Sequence, residues 1–249
     1  MPEVDRAYDD ALLASTYDAE NAARDDIEFY LALAAGFDAR DVADLGCGTG
    51  VLAADLAAAG HAVVGIDPAN AMLDIARNRI GGERVTWRLG DSAALGQASA
   101  DLIVMTGHVA QVFIDEGYWR TTLRRCFDAL RPGGHLAFET RNPEMRSWTD
   151  WTRQRTTGTY TTADGTSFTS WVQITDVTDD LVTFDAHNVF AATGQDIVSA
   201  STLRFRSRTE IENALEAAGF EPPIVYGDWD RSPVRGPRPE LIFVAAKDD

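Results

Sequence analysis

Apolar residues recur along this chain in two rhythms, one at helical spacing and one in short strand-like runs. Ile27, Tyr30, Leu31 and Ala34 predict a helix within residues 21–35 that stops at Gly36, preceded by a less regular segment carrying Tyr8 and Tyr17. Residues 41–45 predict a first strand, which enters Gly46-Cys47-Gly48-Thr49-Gly50. Leu52, Leu56 and Ala59 then repeat as a helix up to Gly60. The unit recurs at once: a strand over 61–66 ends in Asp67, Pro68 suits a first helical turn, and Met72, Ile75 and Ala76 mark the buried stripe. Strands follow at 85–89, 102–105 and 135–138, with a helix carrying Trp119, Leu123, Cys126, Phe127 and Leu130 before the last of them. The run 102–105 is almost wholly apolar, as a strand covered on both faces requires.

Strands alternating with helices imply right-handed crossovers, and so an α/β fold with a doubly wound, mostly parallel sheet that binds ligands beyond the carboxyl ends of its strands. Residues 144–206 break the rhythm. They are rich in threonine, hold Trp148, Trp151 and Trp171, and alternate with period two through Phe168, Ser170, Val172 and Ile174. Asp164-Gly165 and Thr193-Gly194 mark turns, so a small antiparallel sheet is expected here as an insertion after the fifth strand. Ile211, Leu215, Ala218 and Gly219 restore the helical rhythm, and strands at 223–226 and 241–245 bring the main sheet to seven. The expected core is therefore residues 1–143 and 207–249, interrupted by an inserted subdomain at 144–206.

At 249 residues, with 45% hydrophobic and 24% charged, the chain has the ordinary globular mix and is long enough for one or two domains. Lys plus Arg number 22 against 39 Asp plus Glu, giving −17, which repels phosphate backbones and anionic lipid and disfavours nucleic-acid and membrane partners. Cys47 and Cys126 are too few for a disulfide-stapled fold and lack zinc-site spacing, so no metal is expected and the compartment is read as reducing. Met1 to Asp10 is acidic, unlike a targeting peptide, and no apolar run approaches the roughly 20 residues of a membrane span. A cytoplasmic protein is the expectation.

The glycine turn after the first strand lets a ligand approach the backbone and meet free helix N–H groups. Val51 stands where a dinucleotide fingerprint requires glycine, which disfavours NAD. Asp67, nineteen residues after Gly48, can accept hydrogen bonds from both hydroxyls of a ribose and repels a 2′-phosphate. Asp91 can accept from an exocyclic amine, with Met72 as an apolar neighbour for a purine ring. Together these strand ends describe an adenosine site.

The series Asp44-Leu45-Gly46-Cys47-Gly48-Thr49-Gly50, Gly65-Ile66-Asp67, Gly90-Asp91 and Leu130-Arg131-Pro132-Gly133-Gly134 resembles, in order and spacing, the class I S-adenosylmethionine-dependent methyltransferases. The resemblance runs over roughly residues 40 to 140 and implies a Rossmann-like sheet with S-adenosylmethionine as cofactor and S-adenosylhomocysteine as product. By the same resemblance Gly46 and Gly48 line the methionine and ribose moieties, Cys47 is a small packing residue of the loop, and Asp44 sits behind it, within reach of the amino group. Asp67 holds the ribose hydroxyls, with Pro68 beside it among the cofactor residues. Met72 neighbours the purine, Asp91 and the Ser92 backbone read the adenine edge, Thr106 and Gly107 face the methionine end, and Tyr17 closes over the cofactor.

A sulfonium methyl is already electrophilic, so alignment is the protein's main task, and positioning of this kind supplies about 7–11 kcal/mol. A base is needed only when the nucleophile arrives protonated. His108 is the candidate base, because a free imidazole has a pKa of about 6.5 and can accept a proton at neutral pH, the alternative being a loop histidine bonded to backbone. Glu139 and Arg141, past the fifth strand, either orient an acceptor or pair with each other. His187 reaches the site only if the insertion folds over it and is otherwise a surface residue. The three tryptophans either wall an aromatic acceptor or form the inserted sheet's core, and Arg204, Arg206 and Arg208 either attract an anion or mark a solvated face.

Thr106-Gly107-His108 replaces the Asn/Asp-Pro-Pro-aromatic stretch of nucleic-acid amino-methyltransferases, and no Pro-Cys pair is present. The expectation is thus methyl transfer to a small-molecule acceptor, with the insertion as lid and acceptor pocket and a homodimer through it compatible. Two rivals stand beside it: a non-catalytic binder of S-adenosylmethionine or S-adenosylhomocysteine, and a nicotinamide-dependent oxidoreductase.

Overall fold

The computed structural model of this chain describes residues 4–248; Met1–Glu3, which begin the acidic N-terminal stretch, and Asp249 lie outside the described residues. In chain order the strands are β1 (Asp41–Leu45), β2 (Ala62–Asp67), β3 (Thr86–Leu89), β4 (Ala100–Met105), β5 (Leu130–Arg141), β6 (Gly158–Thr161), β7 (Ser167–Thr178), β8 (Leu181–Phe190), β9 (Asp196–Arg204), β10 (Ile224–Tyr226) and β11 (Glu240–Ala246). The helices are α1 (Arg6–Asp9), α2 (Ala11–Glu20), α3 (Asp26–Gly36), α4 (Val51–Ala58), α5 (Asn70–Asn78), α6 (Val109–Val112), α7 (Glu116–Ala129), α8 (Arg153–Thr156) and α9 (Arg208–Ala218).

The main sheet has seven strands in the order β10-β11-β5-β4-β1-β2-β3, parallel except for β11, which runs against both neighbours. Strand period sorts its side chains between two layers. Leu102 and Val104 of β4 pack on Leu33 of α3 and Leu56 of α4, whereas Ile103 and Met105 face Trp119 and Leu123 of α7 and Leu215 of α9. Each such side chain contributes about 1.5–3 kcal/mol on burial. The chain leaves β1 toward β2 on one side while β4 pairs on the other, so the order reverses at β1 and opens a crevice at the strand tips.

Sheet formation in the insertion begins only at β6. Residues 144–157 are short helical turns and α8, and β6-β7-β8-β9 form a separate antiparallel sheet. Gly165 and Gly194, at φ +89° and +67°, turn the two outer hairpins.

The segment with Tyr8 and Tyr17 is helical rather than irregular. The Asp5 carboxylate caps α1 at Ala7 N (2.9 Å), and Asp10 caps α2 at Leu12 N and Leu13 N (3.0 and 3.3 Å). Its apolar period is blurred because α2 buries two faces: Leu13 packs on Phe168, Phe190 and Ile197 of the inserted sheet, while Ala14 and Tyr17 pack with Ala69 and Met72. The following helix starts only at Asp26.

Arg206 and Arg204 do not form a solvated face. Arg206 is 3% exposed, donates to Phe113 O (2.7 Å) and Ala110 O (3.3 Å), and lies over Trp119. Arg204 bonds Asp180 and Ile114 O (both 2.6 Å), so the two arginines fasten the α6–α7 connection to the insertion, and only Arg208 pairs on the surface, with Glu212. No helix among the described residues is long and apolar enough to cross a membrane.

Candidate functional site

The loop after β1 is shaped by what its glycines lack. Gly46, Gly48 and Gly50 all take positive φ (+77°, +54° and +77°). A Cβ at Gly46 would meet Val109 Cγ2 at 2.6 Å, whereas one at Gly48, on the wall of the crevice, would meet no atom of the described residues within 4 Å. Gly46 N–H and Cys47 N–H both donate to Ile66 O (2.7 and 3.1 Å), binding the loop to β2. Gly46→Ala is therefore expected to lose about 2–4 kcal/mol in urea unfolding, from left-handed strain plus overpacking, and Gly48→Ala about 1 kcal/mol. Equal losses at the two positions would refute the close approach of Val109.

Three carboxylates stand behind or beside this loop. Asp67 accepts from Gly48 N and Ala69 N (both 2.8 Å), which fixes the carboxylate plane; burial raises its pKa, and those two N–H groups oppose the rise. For Asp91, burial pushes upward, but Ala93 N–H (2.7 Å), the Tyr118 hydroxyl and Arg125 together hold it below the usual carboxylate range. Asp44 is fully buried and its Oδ1 has no hydrogen-bond partner among the described residues. Burial pushes it up to about 7, against the opposing charge of Arg24 and with the repulsion of Asp67 and Glu139.

A cavity of about 150 Å³ opens at the strand tips. Of the residues expected at the cofactor, Tyr17, Gly46, Gly48, Asp67, Pro68, Met72, Asp91, Ser92, Thr106 and Gly107 line it. Asp44 and Cys47 do not. Asp44 lies beneath the loop, and the Cys47 sulfur turns toward Gly65, where burial raises its thiol pKa far above the ordinary value. Sequence reasoning missed Tyr8, Val109, Phe113 and Tyr118 on this wall. The arginine bonds that hold α6 and α7 beside the cavity come from residues about 90 positions away, and no local pattern reports them.

A second cavity, about 530 Å³, shares Tyr8, Tyr17, Gly107 and Val112 with the first. Its sheet-edge wall carries His108, Glu139, Arg141 and Glu240, and the opposite wall is Val172, Phe184, Asn188 and Leu203 of the inserted sheet. Glu139 and Arg141 do not pair with each other. Glu139 accepts from the Tyr30 hydroxyl and from His108 N (2.8 Å), and burial raises its pKa while those two hydrogen bonds oppose the rise. Arg141 donates to Gln111 Oε1 (2.9 Å) and lies over the Trp151 ring, and burial lowers its pKa.

The His108 ring meets a carboxylate, not backbone: Nε2 stands 3.0 Å from Glu240 Oε2. His187 lines neither cavity; it stacks on Trp171 and pairs with Asp196 (3.0 Å). Trp151 walls the second cavity, while Trp148 packs on Phe205. A larger open groove of about 900 Å³ between α2, α4 and α5 contains none of the strand-tip residues.

Residues 42–134 match the family model described as a methyltransferase domain. The ubiquinone biosynthesis O-methyltransferase of Vibrio vulnificus is 29% identical over 130 residues, 49% of this chain and 52% of that one; the Acinetobacter baylyi protein of the same name is 32% identical over 124 residues, 46% and 49% of the two. The chain thus spans about half the length of the curated relatives it matches. Among solved structures, an S-adenosylmethionine-dependent methyltransferase from Clostridium acetobutylicum has a TM-score of 0.75 at 17% identity, covering 91% of this chain and 92% of its own. The CcbJ methyltransferase from Streptomyces caelestis gives 0.75 at 21% identity over 95% and 96%, a likeness that concerns the fold alone. The glycine loop and the strand-tip carboxylates coincide with residues 42–134, the stretch that matches a methyltransferase domain.

Proposed function

We propose that this chain transfers the methyl group of S-adenosylmethionine to a small-molecule acceptor seated between the sheet edge and the inserted sheet, in a cytoplasmic setting. The carrying observation is that the two cavities join at Tyr8, Tyr17, Gly107 and Val112. A nucleoside site alone would explain only the first cavity; a donor site opening onto a half-apolar second chamber is the arrangement that transfer between two bound molecules requires.

The residues fit the cofactor. Asp67, held by two backbone N–H groups, keeps lone pairs for two ribose hydroxyls; Gly48 leaves room above the loop; and the unpartnered Oδ1 of Asp44 is an acceptor suited to the amino group. Bound S-adenosylmethionine supplies a methyl already activated by the sulfonium. The chain's own share is to align and to exclude water. Tyr17, raised in pKa by burial, covers the junction with Tyr8 packed edge-on against it, and Arg141 and Trp151 offer an acceptor a cation and an aromatic wall.

In this reading residues 144–206 serve as lid and acceptor pocket, with 1–143 and 207–249 as the core. α2 supports it by touching both the inserted sheet and the cofactor wall. The relatives support a small acceptor: their names specify ubiquinone biosynthesis and, for a structural neighbour at TM-score 0.68 and 22% identity, an amino pentose.

Calorimetric titration with S-adenosylmethionine and, separately, NAD is the test. Saturable binding of the first and none of the second is expected, followed by mass-spectrometric transfer of a deuterated methyl to an acceptor from a cell extract. Absence of heat with S-adenosylmethionine refutes the reading, and cofactor binding without transfer to any acceptor favours the non-catalytic binder.

A further inference from the structure

The wall of the second cavity holds a carboxylate–imidazole pair that the fold assembles from distant parts of the chain. His108 ends the Thr106-Gly107 turn after β4, and Glu240 opens β11. Their Nε2 and Oε2 atoms are 3.0 Å apart, with the side chains 24% and 21% exposed, so both are partly screened from solvent. An ionised carboxylate only accepts hydrogen bonds, so the imidazole nitrogen facing Glu240 carries the proton. The other ring nitrogen, Nδ1, has no hydrogen-bond partner among the described residues and is not among their buried unpartnered atoms.

The placement is held firmly. His108 takes φ +64°, a left-handed conformation that a non-glycine residue adopts at a cost, and its N–H is fixed on Glu139 Oε1 (2.8 Å). Glu139 is thereby occupied, since its second oxygen receives the Tyr30 hydroxyl. Asp26 is gripped by Arg24 through two bonds of 2.8 Å, and Glu20 accepts from Asn188. Gly107, the residue before His108, lines both cavities, so the ring stands beside the boundary where donor and acceptor must meet.

From this geometry we infer that Glu240 is the positioning residue that holds His108 in its Nε2–H tautomer and presents an unprotonated Nδ1 to the acceptor cavity. The acceptor class follows: a nucleophile that arrives bearing a proton, a hydroxyl or an ammonium, whose hydrogen points at Nδ1. The proton passes to Nδ1, from an ammonium before the attack, since only the freed amine has a lone pair, and from a hydroxyl as the attack proceeds; the nucleophile's pair then bonds the methyl carbon as the carbon–sulfur bond breaks with its electron pair left on sulfur. The inference deepens the proposed methyl transfer and rests on it for the identity of the reaction, but the tautomer is a property of the free protein.

The test reads that property directly, by nitrogen NMR of protein labelled with ¹⁵N in its 4 histidines, with His108→Gln identifying the signal of interest. At neutral pH the wild type is expected to show His108 with a protonated Nε2 and a pyridine-like Nδ1. Glu240→Ala should convert this single form to a mixture of tautomers. Glu240→Gln, closest in size and a weaker acceptor whose amide can also donate, should reduce the bias as well. A wild-type His108 protonated at Nδ1 or at both nitrogens overturns the inference, as does a tautomer that neither variant moves. Titration of the same samples with S-adenosylmethionine keeps the two readings apart: no binding by the wild type defeats the methyltransferase reading, whatever the tautomer proves to be.

Discussion

Asp44→Asn is expected to stabilise the cofactor-free protein above neutral pH while weakening its hold on S-adenosylmethionine. The carboxyl is fully buried, and burial lifts its pKa from the ordinary carboxylate range to about 7. A folded-state pKa above the unfolded one means that the native protein binds the proton more tightly, so this stabilisation is complete below the unfolded value and is lost as pH rises through about 7. The loss amounts to roughly 3–5 kcal/mol once the group is ionised. Asparagine has the same shape and nothing to ionise. Melting temperatures of wild type and variant should therefore lie close together near the acid end of this window and separate, with the variant higher, at about pH 8. A gap that is the same at both ends would show that Asp44 does not titrate in this range.

The cofactor half of that prediction has the opposite sign. An amino group meeting Asp44 gains an ionised partner, a bond worth about 1.5–3 kcal/mol, so affinity for S-adenosylmethionine should fall on the order of 10- to 100-fold in the asparagine variant. Binding should also release a proton near pH 7 in the wild type, visible as a dependence of calorimetric heat on the buffer's ionisation enthalpy. The variant should lose that dependence. A stabilising substitution that costs affinity is what a residue retained for binding produces.

Asp67→Ala carries the largest effect on cofactor affinity. The carboxylate performs two tasks: it receives Gly48 N and Ala69 N, which fixes the loop against the next helix, and it leaves lone pairs facing the cavity. Alanine removes the ribose acceptors and leaves two N–H groups to find other partners. With charged hydrogen bonds at about 1.5–3 kcal/mol each, the dissociation constant should rise on the order of 100-fold or more. Asp67→Asn, which keeps one oxygen, should fall between. Binding that is unchanged in the alanine variant would remove the ribose assignment.

Most of the strand-tip site was legible in the chain because its chemistry is local to each βα turn. Asp67 ends β2, Asp91 follows β3, and the glycines follow β1, so a strand prediction alone places them on one edge once the strands are taken as parallel. Asp44 is the instructive exception. Its place beneath the loop was readable, but its orphaned oxygen and raised pKa depend on the surroundings of Arg24, Asp67 and Glu139, which come from the α2–α3 connection, β2 and β5.

The second cavity was barely legible. His108, Glu139 and Arg141 were nameable as residues past their strands, yet the pairing expected between Glu139 and Arg141 failed because Tyr30 of α3 and Gln111 of α6 claim them. Glu240 gave no signal at all: at the start of an edge-side antiparallel strand it looks like a solvated charge. α2 was hidden for another reason, since a helix that buries two faces has no single apolar stripe, and α1, at four residues, is too short to show one; the cap residues of both were the readable mark.

The amino-acid order by itself determined the doubly wound sheet, the glycine turn and the row of carboxylates, because strand period, turn stereochemistry and capping act over a few residues. Tertiary structure alone decided that Arg204 and Arg206 anchor α6 and α7, that α2 bridges the inserted sheet and α5, and that His108 meets Glu240. The arginine contacts join residues about 90 positions apart and the His108–Glu240 contact residues about 130 apart, and desolvation at such meeting points, which no single segment encodes, sets the charge and direction of the groups that face the second cavity.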